Sequence, residues 1–139
     1  LDDETYGINV MQVQEVLPMT EIAPVPGAPP FVMGIINLRG NVVTVIDTRM
    51  RFGLTTREPD QGGRIVVIEA GDQVAGILVD SVAEVIEVRQ AEVDTAPSVG
   101  NDESARYIYG VVSRGNQLLI LIDVNKMLTR EEWQEVASL

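Results

Sequence analysis

The chain has 139 residues, no cysteine, no histidine and a formal net charge of −11 at pH 7. This charge disfavours nucleic acids and acidic membranes as partners, and no apolar run approaches the roughly 20 residues of a membrane-spanning helix. The absence of histidine removes the usual general base and a common metal ligand, while the absence of cysteine removes disulfides and thiolate chemistry. We therefore expect neither an enzyme nor a cofactor-binding protein, and no direct membrane insertion.

Short, β-branched segments bounded by Gly, Pro, Asn and Asp are typical of strands. We predict strands at 5–10, 13–17, 34–39, 42–47, 64–69, 74–80, 84–88, 107–113 and 117–122. The motif Arg-Gly-Asn at 39–41 and again at 114–116 predicts two hairpin turns, because glycine adopts positive φ without strain. Pro18 is unusual at the end of the second strand because it cannot donate a backbone hydrogen bond there.

Helix signals are few and lie after strands. Asp47 and Asp123 each follow a strand, and each can cap a short helical turn, at 48–52 and 124–128. Thr129 and Glu132 have the spacing of a capping box. They predict a C-terminal helix at 130–138.

The chain contains an internal duplication. Residues 34–47 and 110–123, which are 76 positions apart, both open on Gly, break at a polar turn and stop on Asp. A second match, at 69 positions, relates 6–16 to 75–85. Because a repeat fixes the architecture, we predict an all-β fold of two small five-stranded barrels with a groove between them.

The repeat also indicates a strand missing from the sequence. In the second copy the strand at 64–69 precedes a turn at 70–73, whereas the matching turn of the first copy is at 1–4. We therefore expect the first strand of barrel one to lie upstream of the sequence given.

Two charges stand among apolar neighbours at strand ends. Glu15 lies beside Val13 and Val16, and Arg39 follows Leu38. A charge in such surroundings needs a partner, so Glu15 and Arg39 could pair at the edge of the groove; two unrelated exposed charges remain the alternative. The carboxylate clusters at 2–4, 102–103 and 131–132 lack the spacing of a calcium loop and are typical of a solvated surface.

Four segments, taken in order, resemble the CheW family of chemotaxis coupling proteins. They read Y-G-I-N-V-M-Q-V-Q-E-V at 6–16, G-I-I-N-L-R-G-N-V-V-T-V-I-D-T-R at 34–49, G-I-L-V-D-S-V-A-E-V at 76–85, and Y-I-Y-G followed by L-L-I-L-I-D-V-N-K-M-L within 107–128. The resemblance covers essentially the whole chain. It implies two intertwined five-stranded SH3-like antiparallel barrels with a short C-terminal helix, one more strand upstream, and neither catalysis nor a cofactor.

The resemblance also implies partners. Members of this family bridge the cytoplasmic tips of methyl-accepting chemoreceptors to the regulatory domain of the histidine kinase CheA, in the cytoplasm at receptor arrays. Transferred by position, the receptor-binding residues are Val13, Glu15, Gly34, Arg39 and Val82. Val13 and Val82 occupy equivalent places in the two repeats and could line a groove that accepts a receptor helix. We expect residues 1–139 to form a single CheW-like domain of two pseudo-symmetric barrel subdomains, with strands exchanged between them.

Two alternatives differ from a stand-alone adaptor. The chain could be a CheW-like domain of a larger protein, as in CheV or CheA; that it stops just after its helix, without linker or receiver sequence, favours the stand-alone protein. A small β-barrel enzyme or ligand carrier is the alternative from another class, and the lack of histidine, a metal cluster and a phosphate loop disfavours it.

Overall fold

The computed structural model describes residues 5–52, 54, 61–83, 85–94 and 107–137. Across them run the strands β1 Thr5–Ile8, β2 Val13–Pro18, β3 Val32–Leu38, β4 Asn41–Ile46, β5 Arg64–Ala70, β6 Gln73–Val79, β7 Ile108–Arg114 and β8 Gln117–Ile122. Two helices, α1 Thr48–Arg51 and α2 Arg130–Ala137, and 3-10 turns at Val10–Gln12, Gln90–Glu92 and Val124–Lys126 complete this part of the chain. The predicted all-β fold with a short C-terminal helix is confirmed. None of the helices described is long and apolar enough to cross a membrane.

The strands form two sheets of unequal size. One has five strands in the order β2-β5-β6-β4-β3, and the other has three in the order β1-β8-β7. Wholly antiparallel pairing was predicted, and this is wrong for two pairs of strands. β4 runs parallel to β6, and β8 runs parallel to β1. Parallel strands need a long connection between them, so the turn signals that predict hairpins cannot reveal such pairs.

The two sequence repeats occupy equivalent positions in the two sheets. The hairpins β3-β4 and β7-β8 have the same length and lie 76 residues apart in the sequence, as the two repeats do. In the five-stranded sheet Val45 pairs with Gly76, and in the three-stranded sheet Leu121 pairs with Gly7. Each hairpin is thus joined to a strand that belongs to the other repeat.

The five-stranded sheet curls so that the chain leaving one edge reaches the opposite edge. After β2, the chain continues to Ala23, which forms an antiparallel bridge with Ile35 of β3. In the other sheet Asp94 forms the equivalent bridge with Val111 of β7. Because β2 and β3 are the two edges of the five-stranded sheet, the first bridge closes that sheet on itself.

One predicted strand, at 84–88, is wrong over the residues described. Residues 85–88 have no strand conformation, and Glu84 lies outside the described part. Its counterpart in the first repeat, β2, pairs with β5. No strand of the described residues holds the corresponding position beside β1, so residues 85–88 have no ladder to join, and Val85 is 80 % exposed. The predicted upstream strand stays a prediction, and the turn at 1–4 lies outside the described residues.

The apolar residues form three clusters, one between the sheets and one inside each curled sheet. In β8, Ile120 and Ile122 belong to the cluster between the sheets, whereas Leu119 and Leu121 belong to the cluster inside the three-stranded sheet. Alternate residues of a strand point to opposite faces. This explains why the apolar runs in β4 and β8 are continuous, since both faces of these strands are buried.

The capping signals read from the sequence are confirmed. The Asp47 carboxylate accepts a hydrogen bond from Met50 N at 3.1 Å, and the Asp123 carboxylate accepts one from Asn125 N at 3.0 Å. At the start of α2, Thr129 N donates to Glu132 Oε1 at 2.7 Å, and Glu132 N donates to Thr129 Oγ1 at 3.2 Å. These bonds satisfy amide groups that lack a partner in the first turn of a helix.

An ion pair attaches α2 to the rest of the fold. Arg51 Nη1 in α1 lies 2.8 Å from Glu132 Oε2, and both side chains are mostly buried. Burial alone raises the pKa of Glu132, but the hydrogen bonds from Arg51 and Thr129 and the Arg51 charge outweigh it and lower the pKa below its usual value. Val136, on the same helix, is buried in the cluster between the sheets.

Candidate functional site

Arg39 lies at the tip of the β3-β4 hairpin in an uncommon backbone conformation. Its φ is 51° and that of Gly40 is 88°, which is the pattern of a type I′ turn. Arg39 is the only residue other than glycine with positive φ in the described part of the chain. Such a conformation costs of order 1 kcal/mol in a residue with a Cβ, and it is often found at functional sites. Asn37 Oδ1 accepts a hydrogen bond from Gly40 N at 2.9 Å across this turn.

Glu15 reaches the same place from the opposite edge of the sheet. It lies on β2 next to a bulge, because Val13 pairs with Ile68 while Glu15 pairs with Val67. Bulges re-aim side chains at strand edges. Val13 packs against the cluster between the sheets, whereas the Glu15 side chain is 28 % exposed.

Glu15 and Arg39 form a bidentate ion pair. Arg39 Nη1 donates to Glu15 Oε1 at 3.1 Å, and Arg39 Nη2 donates to Glu15 Oε2. The hydrogen bond from Arg39 is the main reason that the pKa of Glu15 is lowered, and the same bond raises the pKa of Arg39. The predicted pairing is confirmed, although partial burial holds only for Glu15, since the Arg39 side chain is 70 % exposed.

Gly34 is buried beneath the segment that crosses from β2 to β3. A Cβ at this position would lie 2.7 Å from Ile22 Cγ2 and closer still to the carbonyl oxygen of Ala23. The equivalent Gly110 lies beneath Val93 and Asp94 in the same manner. Gly34 therefore permits close packing of the chain, and a side chain added there would displace the crossing segment before it met any partner.

Val82 is separate from the ion pair in sequence and in the sheets. It follows β6 in a stretch without strand structure and is 47 % exposed. Its counterpart Val13 is partly buried against the core. The described contacts thus bring Glu15 and Arg39 together, whereas the groove lined by Val13 and Val82 stays a prediction.

The three-stranded sheet has a comparable closure that the sequence reading missed. Arg114 Nη2 donates to the carbonyl oxygen of Glu87 at 2.5 Å and lies 3.8 Å from Glu92 Oε2. The repeated Arg-Gly-Asn motif could have identified Arg114, because it places Arg114 at a hairpin turn as it does Arg39. The partners were not foreseen, since Glu87 was assigned to a strand and no element was predicted at Glu92.

Comparison with known proteins shows what this arrangement is similar to. A family model of the CheW-like domain matches residues 1–132. The chemotaxis protein CheW of Treponema pallidum (strain Nichols) is 36 % identical over 143 residues, covering 100 % of this chain and 84 % of that protein. The chemotaxis protein CheW of Bacillus subtilis (strain 168) is 35 % identical over 134 residues, covering 96 % of this chain and 86 % of that protein.

A solved structure agrees with these sequence relatives. The scaffolding protein TtCheW from Thermoanaerobacter tengcongensis matches with a TM-score of 0.83 and 33 % identity, over 91 % of this chain and 86 % of that one. The sequence and the fold thus agree over nearly the whole length of the chain. The chain belongs to the CheW-like family.

Proposed function

We propose that this protein is a non-enzymatic chemotaxis adaptor that couples the cytoplasmic tips of chemoreceptors to the regulatory domain of the kinase CheA. Relatives named as chemotaxis proteins and a similar structure named as a scaffolding protein support this role. The observation that carries the receptor-binding part is the bidentate Glu15–Arg39 pair, which is fixed in position and still largely open to a partner.

The chemistry of Arg39 suits the recognition of a helix surface. A guanidinium group has five donors in a rigid fork. Two of its nitrogen atoms bond Glu15, so the remaining donors can reach a carboxylate or carbonyl group of the partner. The exposed side chain of Val82 would add an apolar contact, and Val13 and Gly34 would support this surface from below.

The repeat suggests how the domain is organised. We infer a single domain of two pseudo-symmetric subdomains that exchange strands through the parallel pairs β4-β6 and β8-β1. Kinase contacts would then lie on strand ends and turns of both subdomains, away from the Glu15–Arg39 pair. A CheW-like domain within a larger protein, such as CheV or CheA, would use the same surface.

The proposal is tested by measuring the two partners separately. A receptor tip fragment and a CheA regulatory domain are titrated against the unchanged protein, against Arg39→His and against Arg130→His, an exposed arginine on α2 that serves as the control. We expect Arg39→His to weaken receptor binding and leave CheA binding unchanged, because histidine lacks the guanidinium fork. Equal weakening toward both partners would show that this surface is not dedicated to the receptor.

A further inference from the structure

The two hairpins carry the same Arg-Gly-Asn motif in two different turn registers. In the first hairpin Leu38 pairs with Asn41, so that Arg39 and Gly40 form the turn. In the second hairpin Arg114 pairs with Gln117, and the turn consists of residues 115–116. The arginine thus lies inside the turn in one copy and at the end of the strand in the other.

The register of the first hairpin is the less favourable one for the backbone. In the second hairpin glycine takes the first turn position, with Gly115 at φ 60°. In the first hairpin that position belongs to Arg39, at φ 51°, where the Cβ of an L-residue is crowded. Shifting the pairing of β3 with β4 by one residue would free Arg39 from its positive φ, but it would also turn the strand side chains to the opposite faces of the sheet. The observed register therefore benefits from an interaction that fixes the turn.

Asn37 supplies such an interaction. Its Oδ1 accepts the Gly40 amide at 2.9 Å, and this hydrogen bond spans the turn that contains Arg39. We propose that Asn37 is a positioning residue that holds Arg39 in its left-handed conformation and thereby aims the guanidinium group at Glu15 and at the receptor. The consequence for binding rests on the proposed function, whereas the positioning itself is a property of the free protein.

The test uses three variants of the intact protein. Asn37→Ala removes the acceptor, and Asn37→Asp keeps a side-chain oxygen at the same place. Asn41→Ala is the matched control, because Asn41 is an exposed asparagine of the same hairpin. Three quantities are measured by NMR and by titration: the midpoint of the Glu15 carboxyl titration, the amide-to-Hα coupling that reports φ of Arg39, and the affinity for a receptor tip fragment.

We expect Asn37→Ala to raise the Glu15 midpoint toward its ordinary value and to move the Arg39 coupling away from that of a positive φ. Affinity for the receptor fragment should fall about tenfold, because a displaced Arg39 guanidinium would lose about one hydrogen bond to the receptor, and this is the size of effect for a bond to a charged group. Asn41→Ala should leave both NMR quantities as they are in the unchanged protein. Asn37→Asp should leave the Arg39 coupling as it is, because its carboxylate can still accept the Gly40 amide.

The outcomes separate the two proposals. An unchanged Glu15 midpoint and an unchanged Arg39 coupling in Asn37→Ala would overturn the positioning role. If both quantities shift as expected but the unchanged protein does not bind the receptor fragment, the positioning role is supported and the proposed receptor function fails.

Discussion

The five-stranded and three-stranded sheets are built from the same repeated segments, yet they enclose different amounts of core. Inside the larger sheet, Ile36, Val43 and Val45 pack against Ile65 of β5. Inside the smaller sheet, their counterparts pack against Val88 and Val93 from a stretch without strand structure. The two hairpins are equivalent, but only the first one faces paired strands across its cluster, whereas the second faces an irregular segment. A repeated hairpin therefore does not by itself determine how completely its sheet closes.

The largest expected effect comes from removing core on the complete side. Ile65 is fully buried in β5, which has a neighbouring strand on each side, so Ile65→Ala should destabilise the protein by about 2–5 kcal/mol, the usual range for such truncations. Leu119→Ala in the three-stranded sheet should lower the free energy of unfolding by less. The irregular segment packed against Leu119 can move into the space that the truncation leaves. Urea unfolding of both variants measures the difference. A loss for Leu119→Ala equal to that for Ile65→Ala would contradict the comparison.

A second comparison uses the two equivalent glycines beneath the crossing segments. Gly34→Ala should cost about 1–3 kcal/mol, the range of overpacked cores, because the added Cβ meets the backbone carbonyl of Ala23. Gly110→Ala should cost less, because the nearest atom there belongs to the Val93 side chain, 2.5 Å away. Thermal unfolding of both variants tests this order. The larger Gly34→Asp change should lower stability as well, so it would not be a clean probe of receptor binding.

The ion pair that attaches α2 should give a smaller and pH-dependent effect. Removing the charge in Glu132→Gln should lower stability by about 1 kcal/mol at pH 7. The folded protein lowers the pKa of Glu132, so this contribution is fully present above the unfolded value of about 4.3 and is lost as the pH falls through the folded value.

The measurement is the difference in unfolding free energy between the unchanged protein and Glu132→Gln at neutral pH and at acidic pH. Glu131→Gln is the control, because Glu131 is exposed on the same helix turn. A difference that grows as the pH falls would contradict the assigned role of Glu132.

The smallest effect on stability is expected for the arginines that close the two sheets. Arg39 and Arg114 are both substantially exposed, and exposed ion pairs are weakened by water and salt. Arg39→Ala and Arg114→Ala should therefore leave the melting temperature nearly unchanged, and added salt should reduce any remaining difference. A large drop for Arg39→Ala alone would mean that the Glu15–Arg39 pair holds the larger sheet together rather than serving a partner.

Local features of this protein follow from its sequence alone. The two hairpins and the capping residues Asp47, Asp123 and Thr129 were predicted, because each depends on residues only a few positions apart. For Glu15 and Arg39, charges among apolar neighbours left two interpretations open, a pair or two unrelated exposed charges, and the structure shows the pair. The receptor-binding role of these residues stays a prediction.

The tertiary structure decided which strands became neighbours. The parallel pairing of Val45 with Gly76, the unpaired stretch at 85–88 and the burial of Gly34 beneath Ala23 each depend on segments that meet only after the sheets curl. The repeat indicated a strand missing from barrel one, but nothing next to residues 85–88 in the sequence shows that they stay outside both sheets. Strand pairing is a contact between segments that are distant in the sequence. The same apolar pattern therefore forms a strand in β2, which pairs with β5, and an irregular segment at 85–88, which has no strand of the described residues beside it.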